Sequence, residues 1–120
     1  MSSAYKHFEL SEFTCKCGCG KNNISDILVR KLDRVREKAG IPILISSGYR
    51  CESNNVAAGG APDSAHLYGL AADITVYSSN ARWTLLSSIF TTGFNRIGIG
   101  KTFIHVDIDD SKPPKVVWLY

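Results

Sequence analysis

The 120-residue chain has no run approaching the ~18 consecutive apolar residues that a membrane-spanning helix needs, and it has no marked excess of charge of either sign. The first absence argues against membrane insertion. The second, 14 basic against 11 acidic residues for a net +3, leaves too weak a field for nucleic-acid binding and only a slight pull toward anionic polymers. There is no internal repeat, no low-complexity tract and no linker. Residues 1–6 contain no apolar stretch of the kind a secretory signal carries. The expectation is synthesis in the cytosol, with any exit by a route needing no signal of its own. Hydrophobic residues at 44% and charged residues at 21% exclude disordered, collagen-like and coiled-coil classes. A chain of this length buries roughly two-thirds of its unfolded surface, enough for one core. Residues 1–120 therefore read as a single domain, with a polar, cysteine-bearing arm over residues 1–23.

Hydrophobic periodicity predicts a helix over Ser25–Ala39. Ser25 serves as N-cap, Asp26 lies in the first turn, and Leu28, Leu32, Val35 and Ala39 recur at helical spacing. Gly40 and Pro42 end it. Its basic residues Arg30, Lys31, Arg34, Arg36 and Lys38 are interleaved with Asp33 and Glu37, which reads as a solvated face. A second helix is predicted over Asn80–Thr92, with Trp83, Leu86, Ile89 and Phe90 inward and Gly93 as C-cap. Strands are expected at residues 43–46, 71–77, 97–99, 103–109 and 115–119, and residues 47–60 as irregular chain. The whole is an α+β fold with two main helices and a small, mostly antiparallel sheet.

Four cysteines are present, three of them (Cys15, Cys17, Cys19) within five residues and the fourth at Cys51. Cys-x-Cys-x-Cys is not a standard zinc spacing, so free thiols, a small metal site and a bridge from Cys51 to the cluster all remain open. Histidine is scarce, with three in the chain. His7, in the arm, reads as exposed and inert. His66 lies in a loop seven residues before Asp73, which opens a strand, so the two can fold back onto one metal ion. His105 lies in the alternating run Phe103–Asp109, where period 2 sends Ile104, Val106 and Ile108 into the core and Phe103, His105, Asp107 and Asp109 to the other face. An imidazole and carboxylates on the second face of a core strand are costly unless that face is a site. Two His and one Asp form a common donor set for catalytic zinc. Asp107 is then available to take and pass on a proton. Arg50, on the turn after a strand, has a fork suited to a substrate carboxylate or an oxyanion. Gly98-Ile99-Gly100-Lys101-Thr102 echoes a phosphate loop, but Asn95 stands at the first required glycine and a strand follows, so nucleotide binding is rejected. Tyr49, Tyr68, Trp83 and Trp118 are read mainly as packing, with a groove-lining role open.

Ser47-Gly48-Tyr49-Arg50, then Ser64-x-His66-x-x-Gly69-x-Ala71-x-Asp73, then His105-Val106-Asp107, in this order, resemble the M15 family of zinc peptidases. These are the D-alanyl-D-alanine carboxypeptidase and L-alanyl-D-glutamate endopeptidase group, which shares its fold with the Hedgehog signalling domain. The resemblance covers residues 8–120 and includes the Phe13-x-Cys15-x-Cys17-Gly18 opening of small bacterial and phage members. It implies that His66, Asp73 and His105 bind Zn2+, that Arg50, Ser64 and Tyr49 contact the substrate, and that the substrate is the stem peptide of peptidoglycan. Many members place a catalytic Glu or Asp three residues before the last His. That position is Thr102 here, and the proton-carrying role passes to Asp107, with Arg50 assisting the oxyanion. The implied setting is a monomeric phage or prophage enzyme that lyses the cell wall after release from the cytoplasm, or a part of the virion. The rival reading is a zinc-stabilised binding or structural module on the same scaffold, without turnover.

Overall fold

A computed structural model of the chain describes residues 4–120; residues 1–3, the start of the predicted arm, lie outside the described residues. Helix α1 spans Asp26–Ala39, where the Ser25 hydroxyl accepts the Leu28 N–H and satisfies one of the orphan donors of the first turn. Its inward stripe is Leu28, Val29, Leu32 and Val35. The cations along it are dispersed: Arg30 pairs with Asp26, while Lys31 and Lys38 donate to the carbonyls of Gly93 and Thr91. The other long helix, α3, spans Ser79–Thr92 and packs against α1.

The inward face of α3 is rotated from the one expected. Trp83 is 75% and Phe90 53% exposed, and the buried positions are Ala81, Leu85, Ser88 and Ile89. Apolar residues surround this helix, so periodicity alone does not select a side. Leu85 and Ile89 are the α3 residues that join the core, with Ala81 and Ser88 buried beside them. A short helix α2, Glu52–Ala57, forms within the segment expected to be irregular. Its Ser-Asn-Asn composition favours turns and gives no helical signal.

Five strands form one sheet in the order β1-β2-β4-β3-β5. They are β1 Ile45–Ser47, β2 Ala71–Thr75, β3 Arg96–Ile99, β4 Phe103–Asp107 and β5 Val116–Leu119. All neighbours are antiparallel except β3 and β5, which run parallel. That pair departs from the expected antiparallel ending. The tight β3–β4 turn leaves the far edge of β3 free, and the chain after β4 crosses over to occupy it. Strand β4 also ends two residues early, because Asp109 turns inward on itself and accepts from both the N–H and the hydroxyl of Ser111.

Ala72 and Ile74 of β2, Ile97 of β3, and Ile104 and Val106 of β4 join the α1 and α3 stripes in one core. With a side-chain period of 2, their neighbours Asp73, Gly98, His105 and Asp107 face away from that layer. The arm is not the polar appendage its composition indicated. Tyr5, Phe8 and Phe13 are buried in the same core, and Leu10–Phe13 forms a 3-10 turn. Asp33 accepts the backbone N–H groups of Lys6 and His7, and the Tyr5 hydroxyl donates to Asp26. His7, expected to be exposed and inert, is half-buried and pairs with Glu37 at 2.5 Å.

The Tyr5 hydroxyl and Arg30 hold the Asp26 carboxyl below its usual pKa, and His7 and Lys6 do the same for Glu37. A carboxylate whose folded pKa is depressed stabilises the fold above its unfolded pKa of about 4, and that contribution disappears as the pH falls through the folded value. Urea midpoints measured near pH 6 and pH 3 are expected to show a smaller acid-dependent loss in the Asp26→Asn/Glu37→Gln protein than in the parent chain.

Candidate metal centre

One row of residues crosses the sheet: Ser47 on β1, Asp73 on β2, His105 on β4, Gly98 on β3 and Trp118 on β5. The antiparallel register sets Asp73 directly opposite His105, and Asp73 Oδ1 lies 3.0 Å from His105 Nδ1. His66 arrives from the loop before β2, on a 3-10 turn over Ala65–Tyr68. The Ser64 hydroxyl starts that turn by accepting the His66 N–H, and Gly69 ends it with a left-handed conformation. The His66 ring is aimed by Nδ1, 2.7 Å from the carbonyl of Gly48, and its Nε2 stands 3.3 Å from the same Asp73 Oδ1.

The chemistry of these contacts tests whether a cation belongs among them. A carbonyl only accepts, so Nδ1 of His66 carries the hydrogen. In the neutral ring, Nε2 then directs a lone pair at a carboxylate oxygen. His105 stands between two carboxylates, with Nε2 2.8 Å from Asp107 Oδ2 and Nδ1 facing Asp73. A neutral imidazole has one hydrogen for these two contacts. With that hydrogen on Nε2, three electron-rich atoms of His66, Asp73 and His105 converge, one from each residue, all within 4.8 Å of one another. A divalent cation satisfies this arrangement. Two imidazoles and one carboxylate are zinc's usual donors, and an acceptor behind a ligating histidine is the usual support.

The surrounding charges agree. Burial works against ionisation of Asp73, but the two imidazoles beside it, His105 and His66, hold its carboxyl far below the usual range. Burial likewise opposes a charge on His105, and the bonds to Asp107 and Asp73 outweigh it and raise its pKa.

Asp107 is 2% exposed. Its Oδ2 holds His105, while its Oδ1 accepts from Arg96 Nε at 2.7 Å and from the Asp109 N–H. It therefore sits on the Nε2 side of the imidazole, away from Asp73. Arg50 donates from Nη2 to Asp73 Oδ2 at 3.3 Å and from Nε to the Ser47 hydroxyl at 3.0 Å. Thr102 is exposed, and its carbonyl accepts the Val76 N–H.

A cleft of about 420 Å³ opens over the three converging residues, and its walls include Arg50, Ser64, Arg96, Lys112, Trp118 and Tyr120. Tyr49 lies instead in a neighbouring groove with Val56 and Tyr68, which meets the cleft at Gly60. Sequence reasoning missed Arg96, although the alternation Arg96-Ile97-Gly98-Ile99 places it on the same face as His105. It also missed Asn55, which is buried and bonds the Ala61 carbonyl and Arg50. No linear signal marks Asn55, because both partners reach it through loop geometry.

A sequence model of the family described as Peptidase M15 matches residues 6–109, a span that includes His66, Asp73, His105, Arg50 and Asp107. No curated protein matches the chain.

Gly48 links the arm to this centre. A Cβ built on it meets the Phe13 backbone at 2.8 Å, so any side chain forces the two segments apart and shifts the carbonyl that aims His66. Gly48→Ala is expected to cost about 1–3 kcal/mol of stability, as overpacking does. Chemical denaturation measures that cost, and a metal titration of the folded variant is expected to show weaker binding at the histidine centre.

Proposed function

The chain belongs to the M15 peptidase family, and from that premise we propose that it is a zinc metallopeptidase hydrolysing an amide bond in peptidoglycan stem peptides. The observation that carries the reading is the convergence of His66 Nε2, Asp73 Oδ1 and His105 Nδ1 at the floor of an open cleft. When bound, zinc supplies a Lewis acid for the scissile carbonyl and a coordinated water whose pKa is lowered toward ~7.

The protein's own groups bind and orient. Arg50, Arg96 and Lys112 place three cations around the cleft. This supports a peptide substrate that carries free carboxylates, as stem peptides do. Arg50 holds Asp73 through one nitrogen, and its position in the wall lets the guanidinium face a substrate carboxylate or the developing oxyanion. Ser64 lines the cleft beside the His66 turn, and Tyr49 extends the binding surface along the adjoining groove. The setting we propose is cell-wall lysis by a monomeric phage or prophage enzyme, acting as a free lysin or from a virion.

Asp107 acts, in this reading, as a positioning residue rather than as the base that sequence spacing suggested. Both of its oxygens are engaged, and His105 separates it from the converging donor atoms. A binding module without turnover is the second reading. The observation favouring it is that, among the described residues lining the cleft, Asp73 and Asp107 are the only carboxylates, with none standing free.

Digestion of purified sacculi by the zinc-loaded protein, with mass spectrometry of the fragments, tests the function. Chelator-sensitive release is expected, and the new termini identify the bond. Intact sacculi beside a metal-loaded protein would establish the binding module instead. For Asp107→Asn, metal affinity is expected to fall about 10–100-fold, as when other outer partners of ligating histidines are lost, with turnover largely restored at saturating zinc. A variant that keeps full affinity and loses turnover would return Asp107 to the role of base.

A further inference from the structure

The four cysteines play no part in the centre described above, yet the fold collects all of them. Cys15, Cys17 and Cys19 come from the arm, and Cys51 caps the start of α2. Their sulfurs all lie within 4.8 Å of one another. Cys17 Sγ is 3.4 Å from Cys15 Sγ and 3.5 Å from Cys51 Sγ. Four sulfurs held tetrahedrally at ~2.3 Å from zinc stand about 3.8 Å apart. We propose that Cys15, Cys17, Cys19 and Cys51 form a second, structural zinc site that fastens the arm to the loop carrying Arg50.

Three observations separate this from the other fates open to the thiols. Core packing does not explain the cluster, because only Cys15 is buried and Cys17 and Cys19 are exposed. A single disulfide does not explain it either, since a bridge needs two sulfurs to meet and here four do. The local backbone is shaped to collect them. Gly18 and Gly20 adopt φ values of 87° and 77° with no atom within 4 Å of a built Cβ, so glycine serves the turn there and not a close approach. These left-handed positions flank Cys19 and fold the i, i+2, i+4 cysteines toward one point. The Cys15 N–H closes the loop on the Lys21 carbonyl, and the Cys51 N–H donates to Cys15 Sγ at 3.3 Å, a bond that favours a thiolate.

The consequence reaches the histidine centre. Two residues before Cys15, the Phe13 carbonyl accepts the Tyr49 N–H, and Cys51 directly follows Arg50. An ion on the four sulfurs and the Phe13–Tyr49 bond thus hold the segment 48–51 at both ends. That segment supplies the Gly48 carbonyl to His66 and the Arg50 guanidinium to Asp73. Zinc fits the donors, being tetrahedral and tolerant of four thiolates. In a small domain such an ion adds folding stability directly.

The test uses the whole chain, reduced and loaded with zinc, then with cobalt(II) as a spectroscopic probe. Elemental analysis is expected to find two ions per chain, one of them released only as a mercurial reagent consumes the four thiols. The cobalt form is expected to show thiolate charge-transfer absorption and the intense visible bands of a tetrahedral site. In His66→Ala those features persist with one ion bound, which separates this site from the histidine centre. In Cys51→Ser they vanish while the histidine centre still takes one ion. If Cys51→Ser does not fold, the thiol titration of the parent chain decides. Four thiols reacting freely in the metal-loaded protein, a disulfide by mass, or a cobalt spectrum without thiolate bands would each overturn the proposal. A ferric-thiolate spectrum in the protein as purified would overturn zinc as its ion.

Discussion

The carboxylate of Asp73 is the point on which the arrangement turns. One oxygen faces both His66 and His105, and the other accepts from Arg50. Three stretches distant in sequence meet there: the loop after β1, the turn before β2 together with β2 itself, and β4. A negative charge mostly withdrawn from water holds them only if positive charge stands beside it. Arg50 provides one such charge, and a metal ion on the three converging donors would provide the other. The same demand for compensation explains why no buried side-chain nitrogen or oxygen lacks a hydrogen-bond partner among the described residues.

Support extends outward from that carboxylate in an ordered way. Asp107 holds His105 from behind, Arg96 holds Asp107, and the Trp118 ring lies under the Arg96 guanidinium, 5.1 Å from its centroid. On the opposite side, Gly48 aims His66 and Phe13 fixes the position of Gly48. The hydrogen bonds that hold His66 and His105 are short and have buried members, so the donor atoms are set before any ion or substrate arrives. Hydrolysis by metal assistance requires such preorganisation, as does tight metal binding without turnover. The family is that of a peptidase, and the geometry offers a group of residues able to hold a metal ion.

The arm shows how a domain of this size uses its whole length. Tyr5, Phe8 and Phe13 contribute core surface that the two helices and the sheet do not supply alone. Its polar residues and cysteines conceal that role in composition. The arm then lies against the segment that carries Gly48 and Arg50, so its docking and the shape of the cleft are coupled through backbone contacts.

The amino-acid order by itself determined a good deal. Alternation over Phe103–Asp109 separated core from site on β4, Ser25 and Gly40 bounded α1, and the resemblance to the M15 family, with the residue types, named His66, Asp73 and His105 as one set. The first two are legible because each follows from a period or a local capping rule, and the third because its residue types and order match a family pattern. The tertiary structure alone decided the rest. Trp83 and Phe90 lie outside because the core takes Leu85 and Ile89 from α3, a choice between helix faces that periodicity leaves open. Asp107 stands behind His105, although the two share a strand face, because Arg96 arrives from β3 to draw its carboxylate away from Asp73. The final strand runs parallel because a free edge of β3 was available to it. In each case the deciding contact joins residues far apart in sequence, and a contact of that kind exists only once the chain has closed around its core.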